Sequence, residues 1–391
     1  MSNKKLTLLG IVAICMVIWA VVQSHISNKP KTAPGKPAYL IQGLNPAEIG
    51  SITIGAGEDE VIMKRRSGHF VVVNKDNYPA EIKQINDLIT KCLDIQTSQF
   101  VTDNPENHEA LGVTEKDARN VVKFFKADAS LLTGVIIGKT KEEGQGNYAR
   151  LATSDKVYVA PEVPWIRTGA MDYIDQELIL ANRDDIELVT LTASDGQYSL
   201  KRKEDSEDLL LENIPAGKKL KDSDSKSVFN ALTDLRFTDV KKKSTANGEL
   251  TFDRQYICRL KDSTVYTISI VQKDEKTYVT CQSEFADTTP VTIKKEGESE
   301  EELKKKEAKL LARDKANEFT ARHQDWIYEI ADWKAKNLTK KLSDLLEDEP
   351  KPEEKAEDKA EEAEQEKKEP EATQQLAEPN APKLATKSPR H

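Results

Sequence analysis

The stretch VIIGKT at 135–140 resembles the end of a phosphate-binding loop, so it raises the question of nucleotide chemistry. That loop requires a glycine, four further residues and Gly-Lys-Ser/Thr, and the N-terminus of the helix that follows holds the phosphate. Thr133 occupies the position five residues before Gly138, where the first glycine belongs. A glycine-containing turn and an alternating segment follow in place of a helix. We therefore predict a hairpin strand at 135–140 and no nucleotide site.

The histidines and acidic residues form no pattern typical of catalysis or metal binding. The chain has five histidines, at His25, His69, His108, His323 and His391. No two of them stand at metal-ligand spacing, and no H-E-x-x-H, C-x-x-C or G-x-S-x-G motif occurs. Carboxylate pairs such as Asp184-Asp185 are typical of a solvated surface or a cap in a chain with 32% charged residues. The sequence predicts no catalytic, cofactor-binding or metal-ligating residue and no enzyme activity.

The four cysteines are predicted to be reduced. Cys15 lies in an apolar N-terminal run, and Cys92 lies on the apolar face of a predicted helix. Cys258 and Cys281 lie on two predicted strands that flank a third, which places them about 9–10 Å apart. A disulfide requires Cα atoms within about 7 Å, so we expect these two cysteines to be unpaired and buried.

Residues 1–28 are predicted to be an N-terminal membrane anchor. Their apolar run at 6–22 spans 17 residues, about 26 Å as a helix, which crosses a hydrocarbon core of about 30 Å once flanking side chains snorkel. A cleaved signal peptide, a lipidated Cys15 and a buried helix are the alternatives; VVQS at 21–24 and Ile14 fit the first two poorly. We expect a single-pass protein of the inner (cytoplasmic) membrane with its body outside the cytoplasm.

The two segments that flank the body have compositions typical of linkers. Residues 29–43 form a Pro-rich spacer, and residues 347–391 form an acidic tail that lacks aromatic side chains and is predicted to be disordered. The tail holds 14 acidic and 8 basic residues, so it carries −6 of the net charge of −9. The remaining −3 is spread over a body of mixed charge, which argues against nucleic acid as a partner.

The body contains an internal repeat with a constant offset of 137 residues. IGSITIGAGEDEVIMKRR from Ile49 recurs as IELVTLTASDGQYSLKRK from Ile186. In each unit three strands precede an amphipathic helix, a meander of strands and a closing helix. The apolar positions of the two amphipathic helices are Ile82, Ile85, Leu88, Ile89 and Cys92 in the first, and Val228, Phe229, Leu232 and Leu235 in the second.

The predicted fold class is α+β. Two similar tandem units, 44–178 and 179–346, follow the N-terminal transmembrane helix. Each has a mostly antiparallel meander sheet with helices on one face.

The second unit has a charged, coiled-coil-like helical insertion at 285–324. Its residues are good helix formers with oppositely charged pairs at i,i+4, which predicts a solvated helix. The alternative is a partner-binding helix that uses a thin apolar stripe, Leu303, Leu310, Leu311 and Phe319. If the helix is solvated, deleting 298–322 leaves the body folded and weakens association with a partner.

Several segments carry a resemblance to a known family. They are LNPAEIGSITI (44–54), YPAEIKQINDLITKCLDI (78–95), DNPENHEALGV (103–113), GKTKEEGQGNYARLATSDKVYVAP (138–161) and WIYEIADWKAKNLTKKLSDLL (326–346). In their order and pattern they resemble the bacterial family called domain of unknown function 4340. The resemblance implies a membrane-anchored extracytoplasmic protein that belongs with ABC-type transport systems of the gliding-motility kind. It implies no reaction and supplies no active-site residues.

The expected function is a non-catalytic binding or scaffold module, an accessory of an ABC-type transport complex. Its expected partners are the membrane, through the N-terminal helix, and an ABC-type permease or related membrane complex. One alternative is an extracytoplasmic hydrolase of glycan or peptide, which needs convergent buried carboxylates. Another is a ligand-binding protein that uses the groove between the units.

Overall fold

The computed structural model describes residues 38–349 apart from 143, 204–205, 213, 247, 249 and 293–298. The predicted anchor with Cys15, most of the Pro-rich spacer and the acidic tail beyond 349 lie outside the described residues. No helix in the described part of the chain is long and apolar enough to cross a membrane.

The first half of the body is built on a nine-stranded antiparallel sheet. Its chain contributes β1 (Ala38–Tyr39), β2 (Ser51–Ile54), β3 (Val61–Arg66), β4 (His69–Val72), β5 (Tyr78–Pro79), β6 (Gln96–Thr97), β7 (Gln99–Thr102), β8 (Asn120–Phe125), β9 (Leu131–Thr140), β10 (Asn147–Leu151) and β11 (Val157–Ala160). The sheet has the order β5-β4-β3-β2-β8-β9-β10-β11-β7, and β1 pairs with β6 beside it.

A second nine-stranded antiparallel sheet follows. The strands of this half are β12 (Glu177–Ile179), β13 (Ile186–Ala193), β14 (Gly196–Arg202), β15 (Leu209–Leu211), β16 (Lys218–Leu220), β17 (Leu235–Lys242), β18 (Arg254–Leu260), β19 (Thr264–Lys273), β20 (Lys276–Phe285), β21 (Trp326–Ile330) and β22 (Leu346–Asp348). The sheet has the order β12-β17-β21-β20-β19-β18-β13-β14-β15, and β16 pairs with β22.

The two sheets share one strand order over eight strands. From β4 the first runs β4-β3-β2-β8-β9-β10-β11-β7, and from β15 the second runs β15-β14-β13-β18-β19-β20-β21-β17. Ile52 pairs with Met63, and Val189, which stands 137 residues later, pairs with Leu200. The antiparallel meanders predicted from the alternating sequence are present in both sheets, because alternation places one set of side chains on each face.

Five α-helices accompany the sheets in the described residues: α1 (Ile82–Leu93), α2 (His108–Leu111), α3 (Asp222–Phe229), α4 (Glu300–His323) and α5 (Asp332–Thr339). Short 3₁₀ turns occupy Pro46–Glu48, Gly57–Asp59, Val73–Lys75, Pro105–Asn107, Ala170–Tyr173, Arg183–Asp185 and Leu342–Leu345. The predicted buried face of α1 is confirmed apart from Ile82, which is exposed at the first helical position.

Two helix predictions are wrong in their bounds. The segment expected to close the first unit as a helix is only a 3₁₀ turn, Ala170–Tyr173, before β12. Pro161 and Pro164 prevent a helix in this segment. Ile166 and Ile174 are nevertheless buried in the core. The apolar run assigned to the second amphipathic helix also divides, since α3 ends at Phe229 and Leu235 begins β17.

The prediction that helices cover one face of each sheet holds for the second sheet only. Adjacent residues Val121 and Val122 of β8 face opposite sides, and they belong to separate hydrophobic clusters. The cluster of Val122 includes the buried side chains of α1, whereas Leu111 of α2 packs against the cluster of Val121. Helices therefore cover both faces of the first sheet.

The VIIGKT stretch lies within β9, paired with β8 and β10, so the predicted hairpin strand is confirmed. Gly138 is needed because the end of α2 crosses the strand at that point. A Cβ atom on Gly138 would lie 2.5 Å from the carbonyl oxygen of Leu111 and 2.7 Å from that of Gly112. Lys139 Nζ donates a hydrogen bond to the Ala110 carbonyl at 3.0 Å. Both residues of the apparent phosphate motif therefore fasten α2 to the sheet.

Gly138→Ala is expected to lower the free energy of unfolding by about 1–3 kcal/mol. The new methyl group would clash with backbone carbonyl oxygens, which can move only if the whole end of α2 moves. Denaturant unfolding of the full chain measures this. Leu131→Ala, a partly exposed position on the same strand, is the matched control and should have the smaller effect. Equal midpoints for Gly138→Ala and the unmutated protein would contradict the close packing of α2.

Candidate functional site

The two halves of the body meet at Tyr78 on the edge strand β5. Its ring is 2% exposed and forms edge-to-face contacts with Trp326, Phe237 and Tyr328 of the second sheet, with centroids 4.8, 5.8 and 6.2 Å away. Aromatic pairs of this geometry contribute about 0.5–1.5 kcal/mol each beyond the area they bury. The buried side chains of both halves, Tyr78 among them, belong to one continuous hydrophobic core.

Polar contacts fix the turn that presents Tyr78. Lys75 Nζ lies 2.7 Å from Asp239 Oδ1. Asp76 Oδ2 accepts hydrogen bonds from the Lys242 backbone N–H and the Thr245 hydroxyl, both at 2.8 Å. Asp76 itself has a left-handed backbone with φ of 54°, a conformation that Asp and Asn adopt more readily than most residues. Residues 75–78 therefore bind the second half through charge, hydrogen bonds and an aromatic ring.

His323 extends this junction from the end of α4. Its Nδ1 lies 2.6 Å from the Tyr328 hydroxyl, and its ring lies 4.4 Å from that of Phe319. Burial and, to a smaller extent, the nearby Arg322 guanidinium together lower the pKa of His323 to about 4. Burial also raises the pKa of Tyr328. Both groups are therefore neutral at neutral pH, as a desolvated cluster requires.

The C-terminal half of α4 is part of the core, which corrects the expectation of a helix solvated along its length. Ala312 and Ala316 are buried, and the Phe319 ring lies 5.1 Å from that of Tyr266. The Thr320 hydroxyl donates to the Ser283 carbonyl at 2.6 Å and accepts from the Ser283 N–H at 2.7 Å. Deleting 298–322 would therefore expose core surface, so it is not a neutral change.

The opposite side of α4 remains in solvent. Leu303 and Leu310, seven residues apart, are 49% and 36% exposed. At about 100° per residue, Ala312 and Phe319 lie roughly 180° and 160° around the helix from Leu303. The helix thus has one face that binds the sheet and another that presents leucines to solvent.

A cavity of about 270 Å³ lies at one corner of the second sheet, away from the junction. The β13–β14 turn, the start of β18 and the residues that end and follow α5 form its walls. Lys341 on one wall pairs with Asp195 on another, Nζ to Oδ2 at 2.7 Å, and this contact lowers the pKa of Asp195. Lys340 pairs with Asp224 outside the cavity. Each of five cavities in the described residues is lined by residues of one half of the body only.

The residues considered from sequence lie in separate places. His69 Nδ1 contacts the Ser67 carbonyl oxygen at 3.1 Å, and His108 Nε2 contacts the Asp155 carbonyl oxygen at 3.0 Å. Asp184 lies in a surface 3₁₀ turn, where it pairs with Arg202. His25 and His391 lie outside the described residues. Among the residues that the structure describes, no three His, Cys, Asp or Glu side chains are placed to hold a metal ion.

The cysteine prediction is confirmed for the three cysteines that are described. Cys92, Cys258 and Cys281 are free and buried. Strand β19 separates the last two, as expected from the meander. Burial raises the pKa of Cys92 and Cys258 to about 12 and raises that of Cys281 as well, so these thiols are unreactive near neutral pH.

No local sequence pattern marks Tyr78 as a junction residue, because its ring partners lie more than 150 positions along the chain. Asp76-Asn77 before a Pro-containing short strand is the available signal. It indicates a turn that leads into an edge strand.

The unfolding free energy should fall as the pH drops from about 6.5 towards 4, by up to about 3 kcal/mol from His323 alone. The folded-state pKa of about 4 is below the unfolded value, so folding favours the neutral ring. The stabilisation is complete above pH 6.5. It is lost as the pH falls, because the imidazole of the unfolded state is protonated at a higher pH than that of the folded state. Urea unfolding between pH 7.5 and 5 measures the slope. His323→Gln should flatten it, and identical slopes would contradict the assignment.

Comparison with known proteins gives one match. Residues 71–254 match the family described as Domain of unknown function (DUF4340). The matched range begins in β4, includes Tyr78 and the first meander, and ends at the first residue of β18. No curated protein and no solved structure matches the chain. Residues 71–254 therefore carry the DUF4340 domain, the family that the sequence segments predicted.

Proposed function

We propose that the protein is a membrane-anchored binding or scaffold module whose body lies outside the cytoplasm and serves an ABC-type transport complex. The apolar run at 6–22 supports the anchor, and the family resemblance supports the transport setting. Helix α4 is the observation that carries the binding role, because it presents the partly exposed Leu303 and Leu310 on the face opposite to its packed side.

We also propose that units 44–178 and 179–346 are tandem copies of one α+β fold. The shared strand order supports this, as does the equal register of Ile52–Met63 and Val189–Leu200 at the offset of 137. Helix α4 interrupts the second copy between β20 and β21, whereas five residues connect β10 to β11 in the first. A feature that only one copy has is the natural place for a function that the shared core does not explain.

One face of α4 packs against the body, and the opposite face is the proposed binding surface. Its C-terminal half is held by Phe319, Thr320 and His323, so the helix has a fixed direction. Lys309 also binds the preceding segment, with Nζ 2.7 Å from Asp287 Oδ2. The helix is 24 residues long, about 36 Å. The body therefore holds the helix, and with it Leu303 and Leu310, in a fixed position.

The spacing of these leucines indicates the partner's form. Apolar residues seven apart on one helix occupy one of the two seam positions of a heptad, through which helices pack against each other in coiled coils. The occupant we propose is a helix of the extracytoplasmic part of the permease partner, with apolar residues at the same spacing. The hydrophobic transfer of two half-exposed leucines contributes roughly 1–3 kcal/mol, enough to change an affinity tenfold or more.

Replacing both leucines, Leu303→Gln with Leu310→Gln, should reduce co-isolation of the permease from membranes at least tenfold. The replacements remove apolar contact area and leave the packed face of α4 intact. The measurement is cross-linking and affinity isolation of the full chain from membrane fractions. Leu210→Gln on β15, where the leucine is 51% exposed, is the matched control and should retain the partner.

Thermal unfolding should be the same for the double variant and the control. Unchanged permease recovery with the double variant would exclude α4 as the docking site. Recovery of the full chain in the soluble fraction would contradict the anchor.

A further inference from the structure

We propose that the cavity at the corner of the second sheet binds a small monocarboxylate that has an apolar body. This site is separate from α4, so the inference does not depend on the proposed docking partner. Three features support it: the place of the cavity in the fold, its apolar floor and an arginine that makes no close ion pair.

The position is a product of the fold, because the first sheet has a cavity at the corresponding corner. That cavity measures about 420 Å³ and is lined by the β2–β3 turn at 55–57, the start of β8 and Thr168. The β13–β14 turn and the start of β18 line the cavity of the second sheet in the same way. In both sheets the hairpin strand pairs antiparallel with the central strand, so the turn always lies beside that strand's first residues. The side chains at each corner therefore decide what it can hold.

The second corner has a floor suited to an apolar ligand body. Leu191 and Leu338 line it and are themselves 6% and 1% exposed. The volume of about 270 Å³ is near the lower limit for small-molecule sites, equivalent to about nine water molecules. The first corner is lined by a Gly-Ala-Gly turn at 55–57, by Val121 and by charged residues that include Glu115 and Arg119.

Arg254 gives the cavity its charge. The other two cations of the lining are neutralised, Lys341 by Asp195 and Lys340 by Asp224. Arg254 makes no ion pair within 4.0 Å with any residue that the structure describes, although its charge acts on the Asp195 carboxylate and helps to lower the pKa of that group. Alternation along β18 places it on the same face as Tyr256, whose hydroxyl donates to the Val228 carbonyl at 2.8 Å beneath the helices. Its guanidinium is therefore available on the side where α5 ends.

The Arg254 guanidinium is suited to bind one carboxylate. A guanidinium binds a carboxylate through two parallel hydrogen bonds. Thr192 pairs directly with Gln197 and Gln255, so these three side chains stand on the other face of the sheet and play no part in this recognition. Asp195 and the negative end of the α5 dipole oppose a second negative charge. The cavity thus favours a monoanion over a phosphate dianion.

Benzoate is the probe, since its ring matches the floor and its carboxylate matches Arg254. The experiment is isothermal titration of the full chain in lipid nanodiscs with benzoate, benzamide and inorganic phosphate. We expect one benzoate per chain. Benzamide and phosphate should each bind at least tenfold more weakly, because one lacks the charge and the other lacks the apolar body.

Arg254→Gln should weaken benzoate binding at least tenfold. Arg119→Gln alters a guanidinium that lines the cavity of the first sheet and should leave the affinity unchanged. Both variants should unfold at the unmutated temperature. Absence of benzoate binding, equal binding of benzamide, or equal losses in the two arginine variants would each overturn the proposal. Preferential binding of phosphate would show an anion site without an apolar subsite and would overturn it too.

Discussion

The contact of Tyr78 with the aromatic rings of β17 and β21 is the constraint on which the rest of the structure depends. Strand β5 lies at the edge of the first sheet, and its Tyr78 ring packs against Trp326 of the second sheet. This contact covers the edge. Edge strands otherwise present unpaired backbone groups that favour aggregation. The Asp76 hydrogen bonds hold the turn in its left-handed conformation, so the ring enters at one angle only. Two sheets that could each have been a separate domain therefore share one core.

This junction also explains why α4 is a supported arm. His323 at its C-terminal end contacts Tyr328, one of the rings that receive Tyr78. The same cluster that joins the sheets therefore holds the base of the helix whose far end carries Leu303 and Leu310. The corner cavity lies at the other side of the second sheet and shares no lining residue with the cluster. The proposed binding in the cavity and the proposed docking on α4 therefore involve separate residues and can be tested separately.

The sequence predicted the local elements well and the long-range contacts poorly. Alternation found the strands of both meanders, and the spacing of Ile85, Leu88 and Cys92 found the buried face of α1, because both periodicities follow from local geometry. The packed face of α4 was missed, since Ala312 and Ala316 are too small to register as an apolar stripe. No sequence pattern marked Arg254 as a binding residue. Its role depends on the β13–β14 turn, which is distant in sequence and becomes a neighbour only in the folded protein.

A distance measurement between the two sheets tests the rigid junction most directly. Spin labels at Lys64 and Lys201, exposed positions of β3 and β14, can be introduced as Lys64→Cys and Lys201→Cys in a full chain with Cys15→Ser, because the other cysteines are buried. Pulsed electron paramagnetic resonance should give one narrow distance distribution, and Tyr78→Ala should broaden it. A broad distribution with Tyr78 intact would show that the sheets move independently and would contradict the account.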